Sequence, residues 1–226
     1  MLGADEAGKG PVLGPMVAGA VRADPDAIPE AVDDSKRLTL ARREELDAAL
    51  RDDDRVAVAV AHVTVDRIDD PATDMNTLTV AGQAEALAQL ARKGDRAVVD
   101  AGDVSESRFG TRVADAVAAE TARDGESGCR LDVTAEHGAD ESYPVVAAAS
   151  VVAKVERDRV VADLDARYRD RGYDGVGSGY PSDPNTRAFL TAYVDREGDL
   201  PACARRSWST CDDLLAAAEQ SALDQF

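Results

Sequence analysis

One nine-residue run constrains the fold more than any other feature of this 226-residue chain. Residues 145–153 read VVAAASVVA, and at helical spacing this run is apolar almost all round. A helix without a polar face must be covered by other elements to be stable in water. We therefore expect a buried helix that starts at a Ser142 cap, tolerates Pro144 in its first turn and continues to about Arg169.

The strands expected around this helix come mostly before it. Residues 12–21 and 56–65 are rich in β-branched and small apolar side chains, residues 97–100 form an apolar run ending on aspartate, and residues 130–136 alternate in polarity. Further helices are expected at residues 39–50, 76–92, 105–123, 187–194 and 209–218, with caps that include Thr39, Asn76 and Asp183. Strands occur mostly in the first half of the chain and helices dominate the second half. This order indicates a mixed α/β layer with a helical C-terminal extension.

The charge balance bears on the partners that the chain can bind. It carries 44 acidic and 26 basic residues, a net charge of −18, and its only lysines are Lys9, Lys36, Lys93 and Lys154. Taken alone, this charge repels phosphate and argues against nucleic acid. An acidic, lysine-poor, folded composition is also typical of proteins from salt-accumulating cells, where the Debye length at about 1 M salt is only about 3 Å. We therefore expect a halophilic protein in which a local site can still bind a polyanion.

Other classes of protein are disfavoured. The chain has no apolar stretch of membrane-spanning length, and its first residues lack the pattern of a signal peptide, so we expect a cytoplasmic monomer without a membrane partner. Three cysteines do not form a disulfide framework, and two histidines are too few for a histidine-based metal site.

Two adjacent carboxylates, Asp5 and Glu6, precede a glycine-rich turn, Gly8-Lys9-Gly10. Neighbouring side chains on a strand point to opposite faces, so both carboxylates reach one ion only where the strand ends or bends, which the glycines permit. The alternative is an acidic surface turn.

Two further carboxylates follow apolar segments. Asp100 ends the run at residues 97–100, and because burial of an unpaired carboxylate is costly, it needs a partner. Asp140 lies at the head of the expected buried helix. Each could instead be an ordinary cap, of the next turn for Asp100 and of the helix for Asp140.

Several long blocks together resemble the ribonuclease HII family. They are DEAGKGPVLGP at 5–15, DSK at 34–36, VVDAG at 98–102, ADESYPVVAAASVVAKVERD at 139–158 and GSGYPSDP at 177–184, while RSWST at 206–210 resembles the archaeal branch. The resemblance covers nearly the whole chain in family order. It implies an RNase H-like fold, a central mixed β-sheet flanked by helices, with a catalytic domain over residues 1–200 and a helical extension over 201–226.

The resemblance also implies an activity, namely endonucleolytic hydrolysis of the RNA strand of RNA–DNA hybrids and of ribonucleotides embedded in duplex DNA. The catalytic and metal-binding residues would be Asp5, Glu6, Asp100 and Asp140. Such oxygen ligands suit two Mg²⁺ or Mn²⁺ ions about 3.5–4 Å apart, with Asp5 as the bridging ligand. The expected products carry 5′-phosphate and 3′-hydroxyl ends.

Substrate recognition is implied for a second set of residues. Backbone groups of Gly8, Lys9 and Gly10 would approach the 2′-hydroxyl of the ribonucleotide. Tyr180 would stack on the deoxyribose beyond the RNA–DNA junction, although a packing role is the alternative. Phosphate or active-site contacts are expected from Lys9, Ser35, Lys36 and Lys154, and for each of these residues a surface or salt-bridge role is the alternative.

Lys9 departs from the usual ribonuclease HII pattern, because members of that family commonly have arginine at this position. A GKG turn is typical of ribonuclease HIII. That sister group usually has an extra N-terminal domain and lacks the tyrosine, whereas this chain starts at the motif and has Tyr180. An HIII-like hybrid nuclease without junction preference stays an alternative. So does a non-catalytic, divalent-cation-binding acidic protein, although no EF-hand loop is found. A DNA-only junction resolvase would not explain GKG together with Tyr180.

The C-terminal residues resemble the peptide with which replication proteins bind the sliding clamp. Gln220, Leu223 and Phe226 have its spacing, which in one helical turn places the leucine and phenylalanine on the same side. The frayed end of the last helix is the alternative.

Overall fold

The computed structural model describes residues 1–29, 31–32, 38–122 and 127–223. The chain forms two compact units. The first, called the sheet unit, consists of Met1–Ala7, Val17–Val63 and Asp74–Arg157. The second, called the helical unit, consists of Gly8–Met16, Thr64–Thr73 and the residues from Asp158 onward.

A five-stranded sheet has the order β3-β2-β1-β4-β5. β1 pairs antiparallel with β2 and parallel with β4, which in turn pairs parallel with β5, so the sheet is mixed, as predicted. The strands are β1 (Leu2–Ala7), β2 (Met16–Arg22), β3 (Ala57–Val63), β4 (Arg96–Asp100) and β5 (Asp132–Glu136).

Helices pack on both faces of this sheet, and further helices belong to the helical unit. Their bounds are α1 (Leu40–Asp52), α2 (Val65–Ile68), α3 (Met75–Ala88), α4 (Glu106–Thr121), α5 (Pro144–Asp170), α6 (Pro184–Glu197) and α7 (Ser209–Leu223). One core cluster joins the sheet to α1 and α5, and another joins it to α3 and α4. Val98 contributes to the first cluster and its neighbours Ala97 and Val99 to the second, as the two-residue repeat of a strand requires. The predicted RNase H-like layering is confirmed.

The apolar run at 145–153 is buried in α5, as predicted. Two glycines of the sheet allow its close approach. A Cβ atom at Gly3 would lie 2.6 Å from the carbonyl carbon of Val145, and one at Gly19 would lie 2.5 Å from the carbonyl oxygen of Ala149. Since real Cβ atoms do not come so near to backbone atoms, these glycines let the helix pack directly on β1 and β2.

Some predicted boundaries are wrong. The strand expected at 12–21 begins only at Met16, because Val12 and Leu13 instead donate backbone hydrogen bonds to Gly179 within the helical unit. The strand expected at 56–65 ends at Val63, since Thr64 caps α2. Helix α3 starts two residues earlier than expected, because the cap is Asp74 rather than Asn76, and Asp74 accepts the hydrogen bond from the Thr77 N–H.

The predicted division at residue 200 into a catalytic domain and a helical extension stays a prediction, and the two compact units divide the chain at other positions. Residues after 200 belong to the helical unit, where Ala204 forms an antiparallel bridge with Leu13 and the Arg205 N–H donates to the Val12 carbonyl at 2.8 Å. None of the helices in the described part of the chain combines the length and hydropathy that a transmembrane span requires.

Candidate active site

The first carboxylates lie where two parallel strands end. The register pairs Ala4 of β1 with Val99 of β4, so Asp5 and Asp100 follow at the same edge of the sheet. Asp5 is only 6% exposed, whereas Glu6 and Asp100 are half-buried. Strand pairing therefore brings together residues that are 95 positions apart in sequence, as their expected common role requires.

Asp5 is in a destabilising electrostatic environment. Burial and then the negative charges of Glu6 and Asp100 raise the pKa of its carboxyl group well above the usual value. Hydrogen bonds from the Ser150 hydroxyl and from the Glu6 N–H, the latter at 2.7 Å, oppose this shift only partly. Crowded carboxylates of this kind favour the binding of a cation, which would relieve their mutual repulsion.

Gln83 holds one of these carboxylates and was missed in the sequence. This fully buried side chain of α3 donates from Nε2 to Glu6 Oε2 at 2.6 Å and to the Asp100 carbonyl oxygen at 3.0 Å. The available signal is a lone amide in the otherwise small and apolar stretch 78–84, LTVAGQA, where a buried polar group needs a partner.

Asp100 is hydrogen-bonded to the residue that precedes Asp140. The Ala139 N–H donates to Asp100 Oδ1 at 2.9 Å, which supplies the partner that the sequence demanded for this carboxylate. Ala139 and Asp140 belong to a short 3-10 turn, Ala139–Glu141, which follows Gly138 in the left-handed conformation and precedes α5. Asp140, which is 7% exposed, therefore lies before the helix, as expected.

Lys154 reaches the carboxylates through a hydroxyl group. Its Nζ donates to Ser150 Oγ at 2.6 Å, one helical turn earlier on α5, and Ser150 in turn hydrogen-bonds Asp5. Of the other expected contacts, Ser35 and Lys36 lie outside the described residues.

The donor chemistry of this site fits a divalent cation. Carboxylate oxygens are the hard ligands that Mg²⁺ and Mn²⁺ prefer, and the charges of Asp5, Glu6 and Asp100 are already close enough to affect one another. Across the described ranges, no three histidine, cysteine or acidic side chains converge as a finished ligand set. An ion would therefore have to draw the carboxylates together.

Within the helical unit, the expected recognition turn lies beside Tyr180. Gly8 has a φ of 92°, a conformation that favours glycine. A Cβ atom at Gly10 would lie 3.8 Å from Tyr180 Cε1, and Val12 N–H donates to the Gly179 carbonyl at 2.8 Å. The Tyr180 ring is 44% exposed, so its surface is available for stacking. The resemblance predicts that the turn and Tyr180 recognise the ribonucleotide together, and in the structure they lie side by side.

Arg205 is a second residue that sequence reasoning missed. It is fully buried and donates to carbonyl oxygens of the glycine-rich turn, and it directly precedes the RSWST block.

The expected clamp-binding residues are only partly described. Helix α7 continues to Leu223 and includes Gln220, whereas Phe226 lies outside the described residues.

Comparison with known proteins identifies the family. The family model for ribonuclease HII matches residues 2–211. Ribonuclease HII of Haloarcula marismortui is 59% identical over 224 residues, which cover 99% of each chain, and its halophilic source agrees with the acidic composition. Among solved structures, ribonuclease H2 from Pyrococcus horikoshii OT3 has a TM-score of 0.82 at 36% identity, covering 97% of this chain and 100% of that one. Ribonuclease HII from Archaeoglobus fulgidus, solved as a complex with PCNA, has a TM-score of 0.78 at 36% identity, covering 94% and 95%.

The family model matches nearly all of the described chain, and one relative aligns over 99% of it. This protein therefore belongs to the ribonuclease HII family of RNA–DNA hybrid endoribonucleases.

Proposed function

We propose that this enzyme cleaves the RNA strand of RNA–DNA hybrids and the backbone at ribonucleotides embedded in duplex DNA, with two divalent metal ions. The observation that carries the proposal is the buried Asp5 carboxylate, crowded by Glu6 and Asp100 at the end of two parallel strands. Enzymes of this family depend on divalent metals, and we propose Mg²⁺ or Mn²⁺ here.

Four carboxylates would hold the ions, with Asp5 bridging them and Glu6, Asp100 and Asp140 completing the set. When bound, such ions activate the attacking water and stabilise the leaving oxygen in an in-line displacement. The protein's own contribution is orientation. The hydrogen bond from Gln83 orients the Glu6 carboxylate, and the hydrogen bond from the Ala139 N–H orients the Asp100 carboxylate. The products would have 5′-phosphate and 3′-hydroxyl ends.

Ser150 and Lys154 would act on Asp5 from α5. The hydroxyl of Ser150 is the hydrogen-bond partner of the buried carboxylate, and Lys154 donates to that hydroxyl at 2.6 Å. The ammonium charge thus lies one hydroxyl away from the proposed bridging ligand. We propose that it stabilises the ionised Asp5 rather than contacting a substrate phosphate.

Recognition of the ribonucleotide is assigned to the Gly8-Lys9-Gly10 turn and Tyr180. The positive φ of Gly8, the van der Waals distance between Gly10 and the Tyr180 ring, and the half-exposed state of that ring support a surface on which a sugar can lie against backbone groups. In sequence, only Ala7 separates the turn from the Asp5-Glu6 pair. Tyr180 favours a junction preference over the HIII-like alternative, although Lys9 is the residue typical of that group.

A cleavage assay on three matched duplexes tests this proposal. We expect cutting of a full RNA–DNA hybrid and of a DNA duplex with one ribonucleotide, and none of an all-DNA duplex. Cutting of the hybrid alone would support the HIII-like alternative, cutting of the all-DNA duplex would support a resolvase, and metal binding without cleavage would support a non-catalytic cation-binding protein. The Asp100→Asn variant controls for contaminating nucleases.

We also propose that residues Gln220, Leu223 and Phe226 bind the sliding clamp. The Archaeoglobus fulgidus relative has been solved in complex with PCNA, which supports a clamp as partner. Two apolar anchors at this spacing in the sequence suit an apolar groove on such a partner.

A further inference from the structure

The carbonyl oxygens of the glycine-rich turn all have donors from a segment nearly two hundred residues away. Arg205 Nη2 donates to the Gly8 carbonyl at 2.6 Å, and its Nη1 donates to the Lys9 carbonyl at 2.9 Å. The Trp208 indole Nε1–H donates to the Gly10 carbonyl at 3.2 Å. Three successive carbonyls are thus held by two side chains of one short segment.

Arg205 forms the buried centre of this arrangement. Its side chain has no exposed surface, and its Nε donates to a further carbonyl, that of Gly14, at 2.9 Å. The guanidinium carbon lies 4.9 Å from the centroid of the Trp208 ring, which fixes the guanidinium plane by a cation–π contact. Because a guanidinium presents its donors in a rigid fork, the positions of the bonded carbonyls are set together.

The segment that carries these donors is itself anchored. Asp69, just after α2, accepts hydrogen bonds from the Arg206 N–H at 2.8 Å, from the Ser207 N–H at 3.0 Å and from the Ser207 hydroxyl at 2.6 Å. All of these residues belong to the helical unit. The anchor limits the movement of Arg205 and Trp208 on either side of it.

We propose that Arg205 and Trp208 are positioning residues that determine ribonucleotide selectivity, because they orient the Gly8-Lys9-Gly10 turn. With its carbonyls bound on the Arg205 side, the turn has one fixed backbone conformation in which to meet the 2′-hydroxyl of the substrate. The inference rests on the proposed function, since it requires that this turn reads the sugar. Neither residue contacts the reacting phosphate in this scheme.

Trp208→Phe is the sharpest test, because it keeps an aromatic ring over Arg205 and removes only the bond to the Gly10 carbonyl. Binding of a duplex with one ribonucleotide and of the matching all-DNA duplex is measured by fluorescence anisotropy at fixed salt, with Ca²⁺ as the ion and a gel to verify uncut strands. Selectivity is the Kd for the all-DNA duplex divided by the Kd for the duplex with one ribonucleotide. Loss of one neutral hydrogen bond should lower this ratio about two- to tenfold, while the Kd for all-DNA duplex stays as in the native enzyme.

Tyr173→Phe is the matched control, since it also removes one hydrogen bond donated by an aromatic side chain of the helical unit, in this case to Glu197 at 3.0 Å. Its selectivity should equal the native value. Equal melting temperatures of the two variants would exclude a general loss of stability as the cause.

Arg205→Lys should lower selectivity further, because an ammonium group cannot reproduce the planar fork. If this variant does not fold, Trp208→Phe decides alone. A native selectivity near one would refute the proposed reading of the sugar and this inference with it. Native-like selectivity in Trp208→Phe, beside a clear preference in the native enzyme, would overturn the inference and leave the proposed function intact.

Discussion

Gln83→Leu would separate metal binding from folding at the carboxylate site. The change removes the hydrogen bond from Nε2 to the Glu6 carboxylate, which is 2.6 Å long, and the one to the Asp100 carbonyl. A hydrogen bond to a charged group contributes about 1.5–3 kcal/mol. Residues that orient metal ligands typically change metal affinity about 10- to 100-fold when they are replaced. We therefore expect the affinity for Mg²⁺ or Mn²⁺ to fall by roughly that factor.

The free energy of unfolding should respond differently. Gln83 Oε1 is buried and has no hydrogen-bond partner within the described residues, which costs about 1–3 kcal/mol in the native protein. Leucine has a similar volume and removes that cost together with the two bonds. The opposing effects should leave stability within about 1 kcal/mol of the native value.

Isothermal titration of metal into each protein, together with denaturant unfolding in chelator, measures both quantities. Gln89→Leu is the control, since Gln89 follows the same helix and donates to backbone carbonyls of Val60 and Glu85. Its metal affinity should be native. A folded Gln83→Leu protein that binds metal as tightly as the native enzyme would refute the role of Gln83 in orienting the carboxylates.

Asp100→Asn should lower kcat by more than about 100-fold at saturating Mg²⁺ without loss of stability, because one of several crowded charges disappears; near-native turnover would contradict the assignment. Tyr180→Ala should lose about 1–3 kcal/mol of transition-state stabilisation at a single ribonucleotide, read from kcat/KM; an unchanged value would make Tyr180 a packing residue. With a net charge of −18, the protein should melt at higher temperature and retain activity in molar KCl, whereas full stability in dilute buffer with chelator would oppose this. Deletion of residues 220–226 should abolish clamp binding in calorimetry and leave cleavage of a short duplex unchanged; clamp binding by the truncated protein would refute the tail assignment.

Much of the layer structure could be predicted from local patterns. The apolar run at 145–153 predicted a buried helix, and the short run ending at Asp100 predicted a strand that delivers a carboxylate, because burial and side-chain period are properties of neighbouring residues. Helix starts at Thr39 and Asp183 were likewise readable, since a cap acts over three residues. The start of α3 was wrong by two residues because Asp74 and Asn76 are both good caps, and only the backbone geometry selects one.

The sequence by itself determined which residues are expected in the site, namely four carboxylates, a glycine-rich turn and a tyrosine, each within a recognisable block. Tertiary structure decided what holds them. Gln83 meets Glu6 across 77 positions, and Arg205 meets Gly8 across 197. No local pattern specifies either pair, because the energy of such a hydrogen bond depends on how strands and helices pack and not on the residues beside it in sequence.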